Sequence, residues 1–484
     1  MIDLLAVLLA LGLLMYLAFK GITLILLAPA AALLAVAITG GLPILAAYTQ
    51  IFMSNTGDFI VAFFPLFMLG AIFGRLMDDS GSAKSIAGAV CTWLGPQRAV
   101  VSVVLCCAVL TYGGVSAFVV AFAIFPVAAA LFRDADIPKR LIPGSLALGA
   151  FTFTMSALPG TPAIQNAIPM PFFGTTAFAA PGLGIIAAII MLGGGVLWLN
   201  RRAASARAAG EGYGVHADSL PETGVVMREH TQAQGFDVAE LPEPRPAEEK
   251  GPPFALAVLP VITVIVVNFA FIKVVVPMLD TSFLADPLFG ATTIDGVRGV
   301  WAVIVALFAA ILLLVALNWR RLSDLRTSLD KGTDASVLPI FNTASLVGFG
   351  AVIAALPVFA TISEAVMSLG EGNPLISVAA AVTALSAMTG SASGGMSIAL
   401  DALGARFVEI AQVADVSLEA MHRVTAVASG TLDVLPHNGA VITLLAVCGL
   451  SHRDSYADIA MVAIVVPMTA LVVMIALATL FGGF

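Results

Sequence analysis

Residues 431–445, TLDVLPHNGAVITLL, place Asp433, Pro436, His437, Asn438 and Gly439 inside an apolar run long enough to cross a bilayer. In hydrocarbon an unpaired backbone or ionised group is expensive, so such residues mark a helix broken for a purpose. A related set lies in TMSALPGTPAIQN, residues 154–166, with Pro159, Gly160, Thr161, Gln165 and Asn166. Proline removes a donor and clashes with the preceding turn, which opens the helix at Leu158–Pro159 and at Leu435–Pro436. The freed N–H groups at Gly160–Thr161 and His437–Asn438 then begin a second half-helix, whose N-terminus holds anions through oriented donors and its positive dipole end. Two glycine-rich stretches complete the set: YGGVS, with Gly113, Gly114 and Ser116, and TGSASGGMS, with Ser391, Ser393, Gly394, Gly395 and Ser397. Four half-helix ends of this kind can bind a carboxylate, and no Lys or Arg lies in the four motifs, which favours a small anion that must be released again.

Each element has a plainer reading. The glycines also suit close helix packing, and Thr161, Gln165 and Asn166 serve equally as hydrogen-bonding glue between helices. Asp433 stands one turn before His437, so the two share a helix face and form a proton-relay pair. Asn268 and Asn342 are isolated polar groups read as packing residues. Glu364 and Asp401 are expected to face water.

The elements that carry these motifs belong in a membrane. Hydrophobic residues make up 60% of the 484 and charged residues 11%, against about 25% charged in a soluble protein. Mean hydropathy is +1.03. A chain this apolar cannot fold in water without exposing large greasy patches, so a polytopic all-α membrane protein is expected. The first stretch, MIDLLAVLLALGLLMYLAFK, lacks the basic flank of a signal peptide and reads as a retained helix. The four cysteines sit in apolar segments without metal-ligand spacing. The net charge of −8 says little, because topology follows Lys and Arg alone.

Apolar segments fall at about 1–19, 22–39, 58–76, 99–132, 141–170, 181–200, 254–276, 299–317, 337–360, 374–400, 424–450 and 458–481. Residues 201–253 hold 15 of the 52 charges and read as a polar cytoplasmic linker between a first half, 1–200, and a second, 254–484. Basic residues cluster at 75–98, 133–140, 201–207 and 320–331. Placing all of them in the cytoplasm makes 99–132 enter and leave on one side, as a re-entrant hairpin. The segment 374–400 does the same from the other side. Thr154, Leu158 and Pro159 recur 277 residues later as Thr431, Leu435 and Pro436, and GGVS at 113–116 recurs 281 residues later as GGMS. Two matched motifs in one order, in halves of opposite orientation, describe an inverted-topology repeat with two hairpins and two broken helices. Such repeats build secondary transporters. There is no Walker loop, HExxH or GxSxG in context, so coupling to an ion gradient remains.

TMSALPGTPAIQNAIP, SGGMSIAL and LDVLPHNGAVITLLAVCGLSHRDSY together resemble the gluconate/proton symporter family, within the ion transporter superfamily. The resemblance spans both halves. It implies a dimerising scaffold, a transport domain holding the hairpins and an elevator-type movement. It also implies substrates among gluconate and other sugar acids, glycerate, 3-hydroxybutyrate and D-serine. The expectation is proton-coupled uptake of a small hydroxy-carboxylate by a multi-pass homodimer in a bacterial inner membrane. It includes no enzymatic activity, cofactor, metal or nucleic acid, and makes sodium the less favoured ion. His437 and Asp433 are the proton-coupling candidates. A citrate or dicarboxylate carrier of the same superfamily is the alternative, followed by an anion channel or a membrane enzyme using Asp433 and His437.

Overall fold

The computed structural model describes residues 2–20, 22–214, 216, 251–370, 372–436 and 438–484. Among them there is no strand; the chain is a succession of helices. The first half contains α1 (Ile2–Phe19), α2 (Leu24–Thr39), α3 (Ile44–Asp79), α4 (Ser82–Leu94), α5 (Ala99–Tyr112), α6 (Ala117–Asp134), α7 (Ile142–Ala150), α8 (Phe153–Ser156), α9 (Ile164–Ala167), α10 (Pro169–Phe173) and α11 (Pro181–Ala208). The second contains α12 (Phe254–Met278), α13 (Ile294–Asn318), α14 (Leu325–Ala354), α15 (Phe359–Ser368), α16 (Pro374–Thr389), α17 (Ala392–Val413), α18 (Leu418–Ser429), α19 (Gly439–Cys448) and α20 (His452–Phe481).

Six of these, α3, α11, α12, α13, α14 and α20, are long and apolar enough to cross a membrane. The most apolar stretch of α14 is 72% buried, against 28–44% for the other five, so α14 forms the interior and the others keep a lipid-facing side. Small residues let it pack that closely. A Cβ on Gly332 would stand 2.8 Å from Ile72 Cα, and one on Gly348 2.7 Å from the Phe52 carbonyl. Those contacts run in opposite directions along the two chains, so α3 and α14 are antiparallel.

Contacts in the two halves come in matching pairs. The partners are α1·α2 and α12·α13, α2·α14 and α13·α3, α4·α5 and α15·α16, and α5·α7 and α16·α18. In α3 a Cβ on Gly74 would lie 3.5 Å from Ser116 N; in α14 one on Gly350 would lie 3.1 Å from Ile398 Cγ2. The paired residues are 276 and 282 apart in sequence, close to the offsets of the two motifs. Helices α11 and α20, each closing its half, also run antiparallel: Gly182 N donates to Phe484 O at 2.9 Å, and Trp198 Nε1 to Asp458 Oδ1 at 2.9 Å.

The segment 99–132 is two helices, α5 and α6, packed as a hairpin with its tip at 113–116, and α16 and α17 form a second with its tip at Gly390–Ser391. Its second arm continues to Val413, past the expected end at 400. Both proline motifs interrupt their helices: α8 ends at Ser156 and α9 resumes at Ile164, while α18 ends at Ser429 and α19 starts at Gly439. At the start of the 201–253 stretch, α11 stays helical to Ala208, and Tyr213 is buried with its N–H on Asp136 Oδ1 at 2.9 Å. The rest of that stretch, 217–250, lies outside the described residues.

Candidate functional site

The hairpin tips and the breaks are tied to each other by single side chains. In the first half Tyr112 Oη, at the end of α5, donates to Pro159 O at 2.6 Å. In the second, Asn438 Nδ2 donates to Gly390 O at 2.6 Å and also to Asp433 O, while its Oδ1 caps α19 by accepting from Ala440 N. One asparagine thus closes the gap that Pro436 opens and pins it to the second tip. Gly390 ends α16 in the left-handed region, φ +63°, which reverses the chain directly into Ser391. Ser391 Oγ accepts from Gly394 N at 3.1 Å and so caps α17.

Ser116, Ser391 and Asn438 are the N-cap residues of α6, α17 and α19, helices of 18, 22 and 10 residues. All three line one cavity of about 250 Å³. The positive ends of three helices therefore meet at one place. Gly114 and Gln165 line the same cavity, as do Ser393 and Asp433. Gln165 Oε1, Asp433 Oδ1 and Thr111 Oγ1 are buried there without a hydrogen-bond partner among the described residues. Oriented donors and hydroxyls suit a small polar anion.

Other members of the expected set stand elsewhere. Gly113, Gly394 and Gly395 are packing residues. A Cβ on Gly113 would lie 2.7 Å from Val261 Cγ1, one on Gly394 would overlap Leu346, and one on Gly395 the Ser386 backbone. Gly160, at φ +84°, lies under the Phe178 ring, where a Cβ would come within 2.6 Å. Thr161 is fully buried and its hydroxyl accepts from Ala163 N at 3.3 Å. Gly439 is the first residue of α19. His437 lies outside the described residues.

Asn166 sits behind the cavity. Its Nδ2 donates to Thr161 O at 2.9 Å and Ala177 O at 3.0 Å, and its Oδ1 accepts from Arg423 Nη1 at 2.9 Å. His422 Nε2 lies 3.2 Å from that oxygen, and His422 Nδ1 lies 2.6 Å from Thr175 Oγ1.

Several cavity residues escaped the reading of the sequence. Arg75, Asp78, Ser336, Asn342 and Thr343 all contribute to the wall. Arg75 and Asp78 are buried, and Arg75 Nε pairs with Asp79 Oδ2 at 3.0 Å, which also accepts from Ser328 Oγ at 2.5 Å. The signal was present, since a charge within an otherwise apolar helix is a functional hypothesis by default. Counting Arg75 as part of a cytoplasmic basic cluster hid it. Asn342 lines the cavity instead of only packing. Asp401, on α17, is half-buried.

The chain is 44% identical over 469 residues to the uncharacterized transporter YxjC of Bacillus subtilis, covering 94% of this chain and 95% of that protein. It belongs to that transporter family. The transporter also shares its fold with the YdaH transporter of Alcanivorax borkumensis, with a TM-score of 0.52 over 90% of this chain and 87% of that one at 16% identity. No family model matches the transporter's sequence. Membership of that family and the six long apolar helices make it a multi-pass membrane transporter.

Proposed function

We propose that this transporter is a proton-coupled carrier of a small hydroxy-monocarboxylate, gluconate or a shorter relative, across a bacterial cytoplasmic membrane. The observation that carries the reading is the convergence of the α6, α17 and α19 N-termini on one cavity, with Arg75 in its wall. About 250 Å³ is below the roughly 300–1,000 Å³ of pockets for drug-sized ligands, which favours a small acid. Asp78 and Asp433 share that wall, so a dianion meets more repulsion than a monoanion, and this argues against citrate. The hydroxyls of Thr111, Ser116, Ser336, Ser391 and Ser393 suit a substrate that carries hydroxyl groups itself.

In this reading the halves 1–200 and 254–484 are inverted repeats, the two hairpins are re-entrant, and they move with the broken helices past a dimeric scaffold in an elevator-type step. The antiparallel runs of α3 against α14 and of α11 against α20 support the inversion. Substrate and the Asp433 carboxylate are like charges in one small space. A proton taken up with the substrate removes that repulsion, which is the basis of the coupling. His437, four residues on, is the second proton-coupling candidate. The test is a thermal-shift screen of the purified protein against about twenty small acids, because a ligand that binds the folded state raises its melting temperature. Hydroxy-monocarboxylates are expected to shift it, and an exclusive response to citrate or dicarboxylates would replace this reading with the alternative.

A further inference from the structure

Arg423 lies on α18, one break away from the cavity, and is the largest fully buried side chain among the described residues. Its guanidinium donates five hydrogen bonds. Nε and Nη2 reach Ala179 O at 3.0 and 2.8 Å, Nη2 reaches Ala177 O at 3.2 Å, and Nη1 reaches Ser156 O at 3.2 Å and Asn166 Oδ1 at 2.9 Å. Every acceptor is a neutral oxygen. The ion pairs among the described residues all join other side chains, and the carboxylate that acts on Arg423, Glu419 one turn earlier on α18, is exposed and does so only through space. The cavity's own arginine, Arg75, is by contrast already paired with Asp79.

A lone cation this deep is costly unless something with negative charge comes near it. The geometry says where. Ser156, which closes α8, and Gln165, the neighbour of Asn166, both line the cavity, so the guanidinium stands one layer behind its wall. It takes up the carbonyl that the first break leaves without a helical donor. Carbonyl oxygens are thereby drawn to the back of the wall, away from the bound anion. On the far side α11 leaves no slack, since a Cβ on Gly184 would stand 3.2 Å from Arg423 Nε and overlap Ala157 O. The guanidinium therefore has a built seat.

We propose that Arg423 is a positioning residue that acts as a fixed cation without an ion pair and makes the cavity selective for anions. The proposal deepens the anion-carrier reading and rests on it for its biological meaning, but its test uses no substrate. In protein whose four cysteines are replaced, Ser393→Cys puts a thiol in the cavity wall, and Val413→Cys, at 84% exposure, serves as an outside control. Purified protein in nanodiscs is reacted with a sulfonate-bearing and a trimethylammonium-bearing methanethiosulfonate. The anion-to-cation rate ratio at position 393 is expected to exceed that at 413. Arg423→Met should lower it about tenfold or more, because removing a unit charge shifts the approach of the anionic and the cationic reagent in opposite directions. Arg423→Lys should stay within about threefold of the parent.

Asn166→Asp offers a second route. It places a carboxylate where Arg423 Nη1 now meets an amide oxygen, and should lower the ratio in the same way with the arginine retained. Where Arg423→Met does not fold, Asn166→Asp decides. An unchanged ratio in either folded variant overturns the proposal, and so does a parent ratio at 393 no higher than at 413. A fall in the ratio in a protein that binds no carboxylate would uphold Arg423 as the selectivity cation and reject the hydroxy-acid reading.

Discussion

Gly114→Ala separates a glycine that shapes the cavity from one that only lets helices touch. Gly114 has φ +97°, a conformation that costs an L-residue about 1–3 kcal/mol. Its new Cβ would stand 2.9 Å from Pro162 Cγ, in a cavity wall formed by the first tip and the first break. Overpacking of that kind costs about 1–3 kcal/mol more. Relief comes from moving the tip, which is a turn between two helices, so the damage should fall on the site. A loss of about 3 kcal/mol there weakens substrate binding roughly a hundredfold. Gly395→Ala makes the contrast. Its Cβ would overlap the Ser386 backbone, forcing the two arms of the second hairpin apart. That variant should lose thermal stability first, and Gly114→Ala should lose affinity first. Melting curves and equilibrium binding of the acid with the largest thermal shift check both. Binding within threefold of wild type in Gly114→Ala, or equal destabilisation of the two variants, would refute the distinction.

Asn438→Ala removes the α19 cap and the bond to Gly390 O, and should cost about 2–3 kcal/mol, read as faster hydrogen exchange at 389–395 and 433–442. Asp458→Ala leaves Trp198, Arg202 and Arg140 without their shared buried acceptor and should destabilise the α11–α20 pair by about 2–4 kcal/mol, measured by chemical denaturation. Glu211, beyond the end of α11, is held below the ordinary carboxylate value by its hydrogen bonds to Arg140. A lowered acid stabilises the fold above its unfolded value near 4.5, and the gain disappears as pH falls through the lowered one. Glu211 is 43% exposed, so Glu211→Gln should lose less than about 1 kcal/mol at pH 7 and nothing in strong acid. His437→Gln should keep substrate binding and lose accumulation driven by a pH gradient; unchanged accumulation would leave the proton to Asp433.

The parts of the fold that follow from backbone chemistry were legible in the sequence. Proline cannot donate and glycine admits positive φ, so the breaks near Pro159 and Pro436 and the turns at Gly114 and Gly390 leave a trace in residue type. The matching contacts of the two halves also leave a trace, in two motifs that recur at the similar offsets of 277 and 281. What a buried side chain meets was not legible. Gly113, Gly114, Gly394 and Gly395 look alike as letters, yet only Gly114 lines the cavity, because the others face Val261, Leu346 and Ser386. Asn166 read equally as a ligand or as glue between helices, and it meets Arg423, 257 residues further along the chain. Arg423 itself stood one residue before the apolar run expected to start at 424. Hydropathy treats such a residue as a boundary, whereas the fold seats it among carbonyls that come from another part of the chain.

The most direct test of the account is uptake by the full chain in proteoliposomes, with a labelled hydroxy-monocarboxylate chosen by the thermal-shift screen and an imposed gradient, acidic outside. The account predicts accumulation above equilibrium that collapses when a protonophore dissipates the gradient and that a sodium gradient alone does not support. Flux that only equilibrates whatever the gradient, or accumulation driven by sodium alone, would contradict it.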